Sequence, residues 1–319
     1  MKKVVNGLLM LCLVAICAGG CGGQGEGEYT ISVYTRSDAC GAAETWAQYL
    51  GDYFQEDLRG TGVYGDPGLA AAVRNDPLGI GFNNLNYAYD NDTGEPVAGL
   101  KIIPVDFNEN GIIDEEENFY ETKAQLMQAI AEGAYASPPA RDLNFVTRSE
   151  FTGITREFVR WVLTEGQQYA GEVGYIALSP EKIDEGLAKL GEEEPGIEMK
   201  GTITVSGAWA LYPMMIKWAE KFREIYPEVN FDVSAGGAGK GMADALGGMA
   251  DIGMVSRGIY PAEIENGAFW VPVTKDAVVP VINQDNPVLE DLLTKGVKRQ
   301  TFVAIWITAN MTDWRNVAG

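Results

Sequence analysis

Three short runs of small residues follow predicted strands and could bind an anion through backbone N–H groups. The first, RSDACGAA at 36–43, lies between an alternating strand and a helix with Trp46 and Leu50 at helical spacing. The others are SGAWA at 206–210 and GGAGKG at 236–241. A helix that begins directly after a strand leaves its first N–H groups without acceptors, which favours an oxyanion. Taken alone, each turn also fits an ordinary strand-to-helix connection.

The residues predicted to contact the anion lie in these turns or at the end of the predicted strand 251–256. They are Arg36, Asp38, Cys40, Gly41, Ala42, Ser206, Gly207, Ala208, Trp209, Ala210, Gly237, Ala238, Gly239, Ser256 and Arg257. No general base or nucleophile accompanies them, so the pattern predicts binding and not an enzyme. The chain has no histidine, which excludes Ser-His-Asp and Cys-His catalysis and histidine metal sites.

Several side chains near the turns have two interpretations. Asp38 either accepts a proton from the anion or pairs with Arg36, and the pair is favoured. Trp209 either walls the cleft or packs in the core. Cys40 is either a reactive thiol at a helix N-terminus or a small buried spacer. Arg257 either contacts the anion or is a solvated surface charge.

The segment DFNENGIIDEEE at 106–117 fits the spacing of a calcium-binding loop, with a glycine at its sixth position. The predicted ligands are Asp106, Asn108, Asn110, Ile112 through its carbonyl, Asp114 and Glu117. A strand precedes the loop, so the standard pair of flanking helices is absent, and a bound Ca²⁺ would be structural. The alternative is an acidic, Asx-rich turn without metal.

The N-terminus reads as an export signal. Residues 1–20 combine two lysines with an apolar run too short to span a membrane, and 21–28 form a flexible tether. The run ending at Cys21 resembles the lipoprotein cleavage signal, so Cys21 is predicted to carry lipid. The formal charge of −21 argues against nucleic acid as a partner. Cys40 would have no disulfide partner in the exported chain.

The motifs resemble the phosphate-binding proteins of ABC importers. SGAWALYPMMIKW looks like the first turn and helix of that family, GGAGKG like its glycine-rich turn, and RSDACGAA like its arginine- and aspartate-containing turn. The resemblance covers nearly all of the mature chain. It implies the α/β, two-lobed type II periplasmic-binding-protein fold, with mixed sheets flanked by helices.

The order of these motifs differs from that of the family, because the RSDACG half comes first here. We therefore predict a circular permutant, cut after Trp314 and rejoined through 190–200. One lobe is then predicted from 29–100 and 276–319, and the other from 101–275. An apolar strand at 277–282 is predicted to cross between the lobes.

Four positions depart from the family pattern. Cys40 and Ala238 stand where serine is usual, Ala42 where threonine is usual, and Ser256 where many members carry an aspartate that accepts the proton of phosphate. The resemblance therefore supports an oxyanion more firmly than phosphate itself. Sulfate, molybdate and tungstate remain alternatives.

The sequence predicts a lipid-anchored, extracytoplasmic, monomeric binding protein that delivers an oxyanion, phosphate first, to an ABC importer. Its expected partners are the anion, the permease subunits and the membrane through the anchor alone. No catalytic cofactor is expected. The alternative function is a calcium-binding cell-surface module that has the same fold and transports no anion.

Overall fold

The computed structural model describes residues 29–192 and 196–319 as an α/β fold. The strands are β1 (Ser32–Arg36), β2 (Thr61–Val63), β3 (Gly79–Asn84), β4 (Leu100–Ile102), β5 (Ala140–Arg148), β6 (Gly201–Gly207), β7 (Val229–Ala235), β8 (Ile252–Val255) and β9 (Ala268–Asn283). The helices are α1 (Gly41–Gly51), α2 (Gly65–Arg74), α3 (Leu85–Ala88), α4 (Lys123–Glu132), α5 (Gly153–Leu163), α6 (Ala170–Val173), α7 (Pro180–Leu190), α8 (Tyr212–Ile225), α9 (Ala238–Leu246), α10 (Pro261–Glu265), α11 (Leu289–Lys295) and α12 (Arg299–Trp306).

The predicted signal segment 1–20 and the tether 21–28, with its lipidation residue Cys21, lie outside the described residues. Within 29–192 and 196–319, no helix is both long enough and apolar enough to cross a membrane.

Strand β9 joins two groups of parallel strands. The sheet order is β2-β1-β3-β9-β5-β8-β6-β7, and β4 pairs with β9 beside this path. The strands β2, β1 and β3 are parallel to one another, as are β8, β6 and β7. Strand β9 is antiparallel to β3 at one end and to β5 at the other. The apolar crossing strand predicted at 277–282 is therefore part of a longer strand of 16 residues.

Three groups of buried apolar side chains form the core, and β9 contributes to all of them. The first lies between residues 143 and 273 and contains Val271. The second draws on 31–105 and 278–317, and the third on 69–140 and 277–281. Because successive side chains of a strand point to opposite faces, Val278 belongs to the second group and Val279 to the third.

The segment after residue 100 packs with the first part of the chain. Ile103 and Val105 belong to the second group, and Phe119 and Leu126 to the third. The lobe boundary predicted at residue 100 does not follow this packing. The loop at 90–96 is polar, but the buried apolar groups continue on both sides of it. The two-lobe division stays a proposal, and we place its first boundary at β5.

Candidate anion-binding site

The first predicted turn places the start of α1 at the end of β1. Cys40 is the N-cap of α1, and its thiol accepts a hydrogen bond from the Ala43 N–H at 3.3 Å. The N–H groups of Gly41 and Ala42 lie in the first helical turn, where no helix carbonyl can accept them. This arrangement is suited to an anion, as the sequence predicts.

Cys40 is a buried spacer and not an activated thiol. Burial raises the pKa of its thiol to about 12, and the nearby Arg36 offsets this only in part. The thiol is therefore protonated at neutral pH, and the interpretation as a reactive thiol is wrong. The Gln55 side chain fixes the turn from outside, donating to the Asp38 carbonyl at 2.7 Å and accepting the Cys40 N–H at 2.9 Å.

Arg36 is buried between two carboxylates. Its Nε and Nη2 donate to the two oxygens of Asp38 at 2.8 and 2.6 Å, and its Nη1 donates to Asp66 Oδ2 at 2.6 Å. Burial alone would lower the pKa of Arg36, but Asp66 and Asp38 outweigh this and raise it. Asp38 thus pairs with Arg36, which is the favoured one of its two predicted roles, and it also accepts the Gly65 N–H at 3.1 Å.

Asp66 extends this network towards β3 and β5. Its Oδ1 accepts the side-chain amide of Asn84 at 2.9 Å. The Asn84 side-chain oxygen Oδ1 in turn accepts a hydrogen bond from Nη2 of Arg141. Arg141 Nη1 donates to the Gly41 carbonyl at 2.6 Å, which returns the network to the start of α1.

The second and third turns are packed directly against each other. The Gly207 carbonyl accepts the N–H groups of Gly236 and Gly237 at 2.8 and 3.0 Å. A side chain at Gly207 would come within 2.8 Å of the Gly241 Cα, and φ at Gly207 is +136°. Only glycine satisfies both the contact and the backbone angle at this position.

These two turns meet the first turn across the middle of the molecule. The Gly239 N–H donates to the Ala39 carbonyl at 3.0 Å. A side chain at Gly237 would lie 2.6 Å from the same carbonyl, and one at Gly41 would overlap the backbone of Ser256. The three predicted turns are therefore brought together.

Trp209 lies between the two sides of this junction. Its ring faces Gly65, where an added Cβ would lie 3.4 Å away, and it meets the exposed Tyr64 edge-on at 6.2 Å between ring centroids. Its half-buried ring supports the predicted role as a wall of the cleft. The Tyr87 hydroxyl donates to the Trp209 carbonyl at 3.2 Å and fixes the turn further.

The polar side chains of the later turns already have protein partners. Ser206 Oγ and Lys240 both bond to Asp244, and Arg257 Nη2 pairs with Glu263 at 2.6 Å. An anion contact by Ser206 or Arg257 would have to compete with these carboxylates, and it stays a prediction.

Sequence reasoning missed the deeper part of the network, which comprises Asp66, Asn84, Tyr87, Arg141 and Asp276. The available signal was a charged residue inside an otherwise apolar strand, as in RDLNFV of β5 and KDAVVP of β9. Such a residue is costly to bury unless it is paired or functional.

The predicted calcium loop is closed by its own hydrogen bonds. Gly111 N–H donates to Asp106 Oδ2 at 2.9 Å, and the Phe107 and Asn108 N–H groups donate to Glu117 Oε1 at 2.8 and 2.9 Å. The other oxygens, Asp106 Oδ1 and Glu117 Oε2, are buried without a hydrogen-bond partner.

The rest of the loop does not converge on one point. The side-chain amides of Asn108 and Asn110 donate to Asp114 Oδ2 at 3.0 and 3.3 Å, and Ile112 is exposed. In the parts of the chain that the structure describes, no group of three or more His, Cys, Asp or Glu side chains is placed to hold a metal ion. The calcium site stays a prediction.

Comparison with known proteins supports the predicted resemblance. Residues 192–319 match the PBP superfamily domain. The phosphate-binding protein PstS 2 of Streptococcus agalactiae serotype V is 24% identical over 326 residues, covering 98% of this chain and 96% of that protein. PstS 2 of Streptococcus pneumoniae serotype 4 is 27% identical over 158 residues, about half of each chain.

A solved phosphate-binding protein of a phosphate ABC transporter, from Streptococcus pneumoniae TIGR4, has the same fold. The TM-score is 0.58 at 21% identity, and the match covers 90% of this chain and 99% of that one. The resemblance predicted from the motifs is confirmed. So is the α/β fold class, whereas the permuted order is not tested. The relatives are named as binding proteins, which agrees with the prediction that the chain is not an enzyme.

The Arg36 pair predicts a large effect of a single substitution. Arg36→Met should lower the free energy of unfolding by about 3–5 kcal/mol, because it leaves Asp38 and Asp66 buried without their cation. Urea unfolding followed by circular dichroism measures this change. The control Lys295→Met removes a half-exposed pair with Asp291 and should change stability little. Equal losses in the two variants would contradict the role assigned to Arg36.

Proposed function

We propose that this protein is an extracytoplasmic, lipid-anchored solute-binding protein that captures an inorganic oxyanion for an ABC importer. Phosphate is the preferred candidate for this anion. The observation that carries the proposal is the meeting of three amide-rich turns at Ala39, Gly207 and Gly239. The names of the relatives, all phosphate-binding proteins, support phosphate as the ligand. The proposed partners are the permease subunits, and the proposed state is a monomer.

Backbone amides would carry most of the affinity. Arg36 is already neutralised by Asp38 and Asp66, and Cys40, Ala42 and Ala238 lack the hydroxyl groups usual in the family. About six to ten hydrogen bonds to a charged acceptor, each of roughly 1.5–3 kcal/mol, suffice for micromolar binding after desolvation costs.

Calorimetry with phosphate, sulfate, molybdate and tungstate tests the proposal. We expect micromolar or tighter binding of phosphate and weaker binding of at least one of the other anions. Gly239→Val serves as the variant, because an added Cβ would lie 2.7 Å from the Ala39 side chain and would separate the turns. It should abolish binding, whereas Gly171→Val, which meets no neighbour within 4 Å and has no positive φ, should not. Absence of a binding signal from the wild-type protein with all four anions would refute the proposal.

We also propose the circularly permuted order. The Trp314 N–H donates to the Tyr29 carbonyl at 2.9 Å, so the proposed cut site lies beside the first described residue. Termini that lie close together allow a domain to be cut and rejoined elsewhere.

The anchor proposal rests on Cys21. Cys21→Ser should release the exported protein from the membrane fraction into the soluble fraction, because the lipid can no longer be attached. Cell fractionation and immunoblotting measure the distribution. The matched variant Cys12→Ser, within the predicted signal, should leave the protein membrane-bound. Retention of both variants at the membrane would refute lipidation at Cys21.

A calcium-binding module is the second candidate function, and one observation favours it. Asp106 Oδ1 and Glu117 Oε2 are buried and unpartnered, although their sister oxygens accept loop N–H groups. Burial also raises the pKa of Glu117, which a bound cation would reverse. Unpaired carboxylate oxygens are the ligands that Ca²⁺ prefers.

Thermal melting tests the calcium candidate. Ca²⁺ in large excess over its dissociation constant should raise the melting temperature by several degrees relative to a chelator. Glu117→Gln should remove the shift, and Glu115→Gln, in the same loop but exposed, should retain it. A calcium shift without any anion shift would favour the calcium module over transport, and no calcium shift would rule it out.

A further inference from the structure

We propose that a second cavity, beside α5, binds a free α-amino acid with an apolar side chain. The cavity has a volume of about 420 Å³ and is enclosed by residues of α5, α7 and α8 and by the segment that precedes β6. It shares no lining residue with the three turns of the candidate anion-binding site. The inference is therefore independent of the function proposed above.

One face of α5 carries three buried polar atoms that have no hydrogen-bond partner. Glu157, Arg160 and Trp161 follow the spacing i, i+3 and i+4, so their side chains lie on the same face of the helix, and all three line the cavity. Among the described residues, nothing bonds to Glu157 Oε1, Arg160 Nε or the indole Nε1 of Trp161. Trp161 is only 8% exposed, so water does not replace the missing partner of its N–H group.

The two charged side chains do not satisfy each other. Their closest approach, from Arg160 Nε to Glu157 Oε2, is 3.9 Å, which is longer than a hydrogen bond. The guanidinium is instead held from its other end, where Nη2 donates to the Gly191 carbonyl at 2.6 Å. This contact fixes Arg160 beside the cavity and leaves its Nε–H group available for another acceptor.

The unpartnered atoms define the polar groups that a ligand must carry. Buried polar atoms without partners are rare and costly, and each calls for an explanation. The N–H groups of Arg160 and Trp161 require an acceptor, for which a carboxylate is suited, and Glu157 Oε1 requires a donor, for which an ammonium is suited. Because residues one helical turn apart are only about 5–6 Å from each other, the two charges of the ligand must also be close together. An α-amino acid meets this requirement.

The remaining walls of the cavity are largely apolar. Leu187 of α7, Met199 before β6 and the fully buried Phe222 of α8 contribute to them. The rings of Trp161 and Phe222 meet edge-on, with 5.4 Å between their centroids, and form a rigid aromatic surface. A predominantly apolar pocket with a few polar groups is typical of small-molecule sites, whose volumes are about 300–1,000 Å³. The side chain of the amino acid is therefore expected to be apolar.

The cavity lies away from the anion-binding turns. The second turn leads into α8 at Tyr212, and Phe222 follows ten residues later, which corresponds to about 15 Å along the helix axis. Met199 and Gly191 belong instead to the segment 190–200, which is predicted to rejoin the permuted chain. An amino acid bound here would not touch the anion, so the two ligands should bind together.

Calorimetry of the wild-type protein with L-leucine, L-methionine and L-phenylalanine tests the inference. We expect at least one of them to bind with millimolar or tighter affinity. Removing either charged group, as in 3-methylbutylamine and 4-methylpentanoate for leucine, should weaken binding at least tenfold. An excess of phosphate should leave the affinity unchanged. No binding of the three amino acids, or competition by phosphate, would overturn the inference.

Two variants assign the polar contacts. Glu157→Gln should lower the affinity for the amino acid at least tenfold, because it removes the charge that pairs with the ammonium. Trp161→Phe keeps an aromatic ring but loses the N–H group, so it should weaken the amino acid and the carboxylate analogue and leave the amine analogue unaffected. The control Glu185→Gln changes an exposed residue of α7 that does not line the cavity, and should have no effect. Wild-type affinity in both Glu157→Gln and Trp161→Phe would refute this site and leave the proposed anion binding intact.

Discussion

The ion pairs that hold Arg36 between Asp38 and Asp66 are the constraint on which the candidate site depends. Each carboxylate also fixes backbone or amide groups of a neighbouring element, Asp38 at Gly65 and Asp66 at Asn84. The guanidinium therefore acts as a connector between β1, α2 and β3. Because its charge is already compensated, its main contribution is to orient the turn that follows β1.

This arrangement suits a protein that is itself strongly acidic. At a net charge of −21 the long-range field repels an anion, so attraction must come from groups that act over a few ångströms. Helix N-termini and oriented N–H groups are effective at that range, because they need no net charge and require no reorganisation on binding. The close contacts between the glycine-rich turns exclude water from the candidate site. The lower dielectric constant there strengthens the attraction between each N–H dipole and an anion.

The local chemistry of the site was predictable, and its long-range part was not. Turns are predicted from the small residues at 36–43, 206–210 and 236–241. The ion pair between Arg36 and Asp38 is predicted from their closeness in the sequence. Asp66, Arg141 and Asp276 come from distant elements, and no local pattern links them to the first turn. Likewise, no local pattern predicts the pairing of β4 with β9, a tertiary contact that keeps the segment after residue 100 with the first part of the core.

The position of β9 also governs the order in which the molecule can assemble. This central strand lies near the end of the chain, so the group β2, β1 and β3 has no antiparallel neighbour on its β3 side, and stays unconnected to the other parallel group, before residues 268–283 are available. Contacts between segments so far apart in sequence form slowly. Such a delay suits the proposed export, because a polypeptide that is threaded through a translocation channel must stay extended until almost its whole length has been delivered.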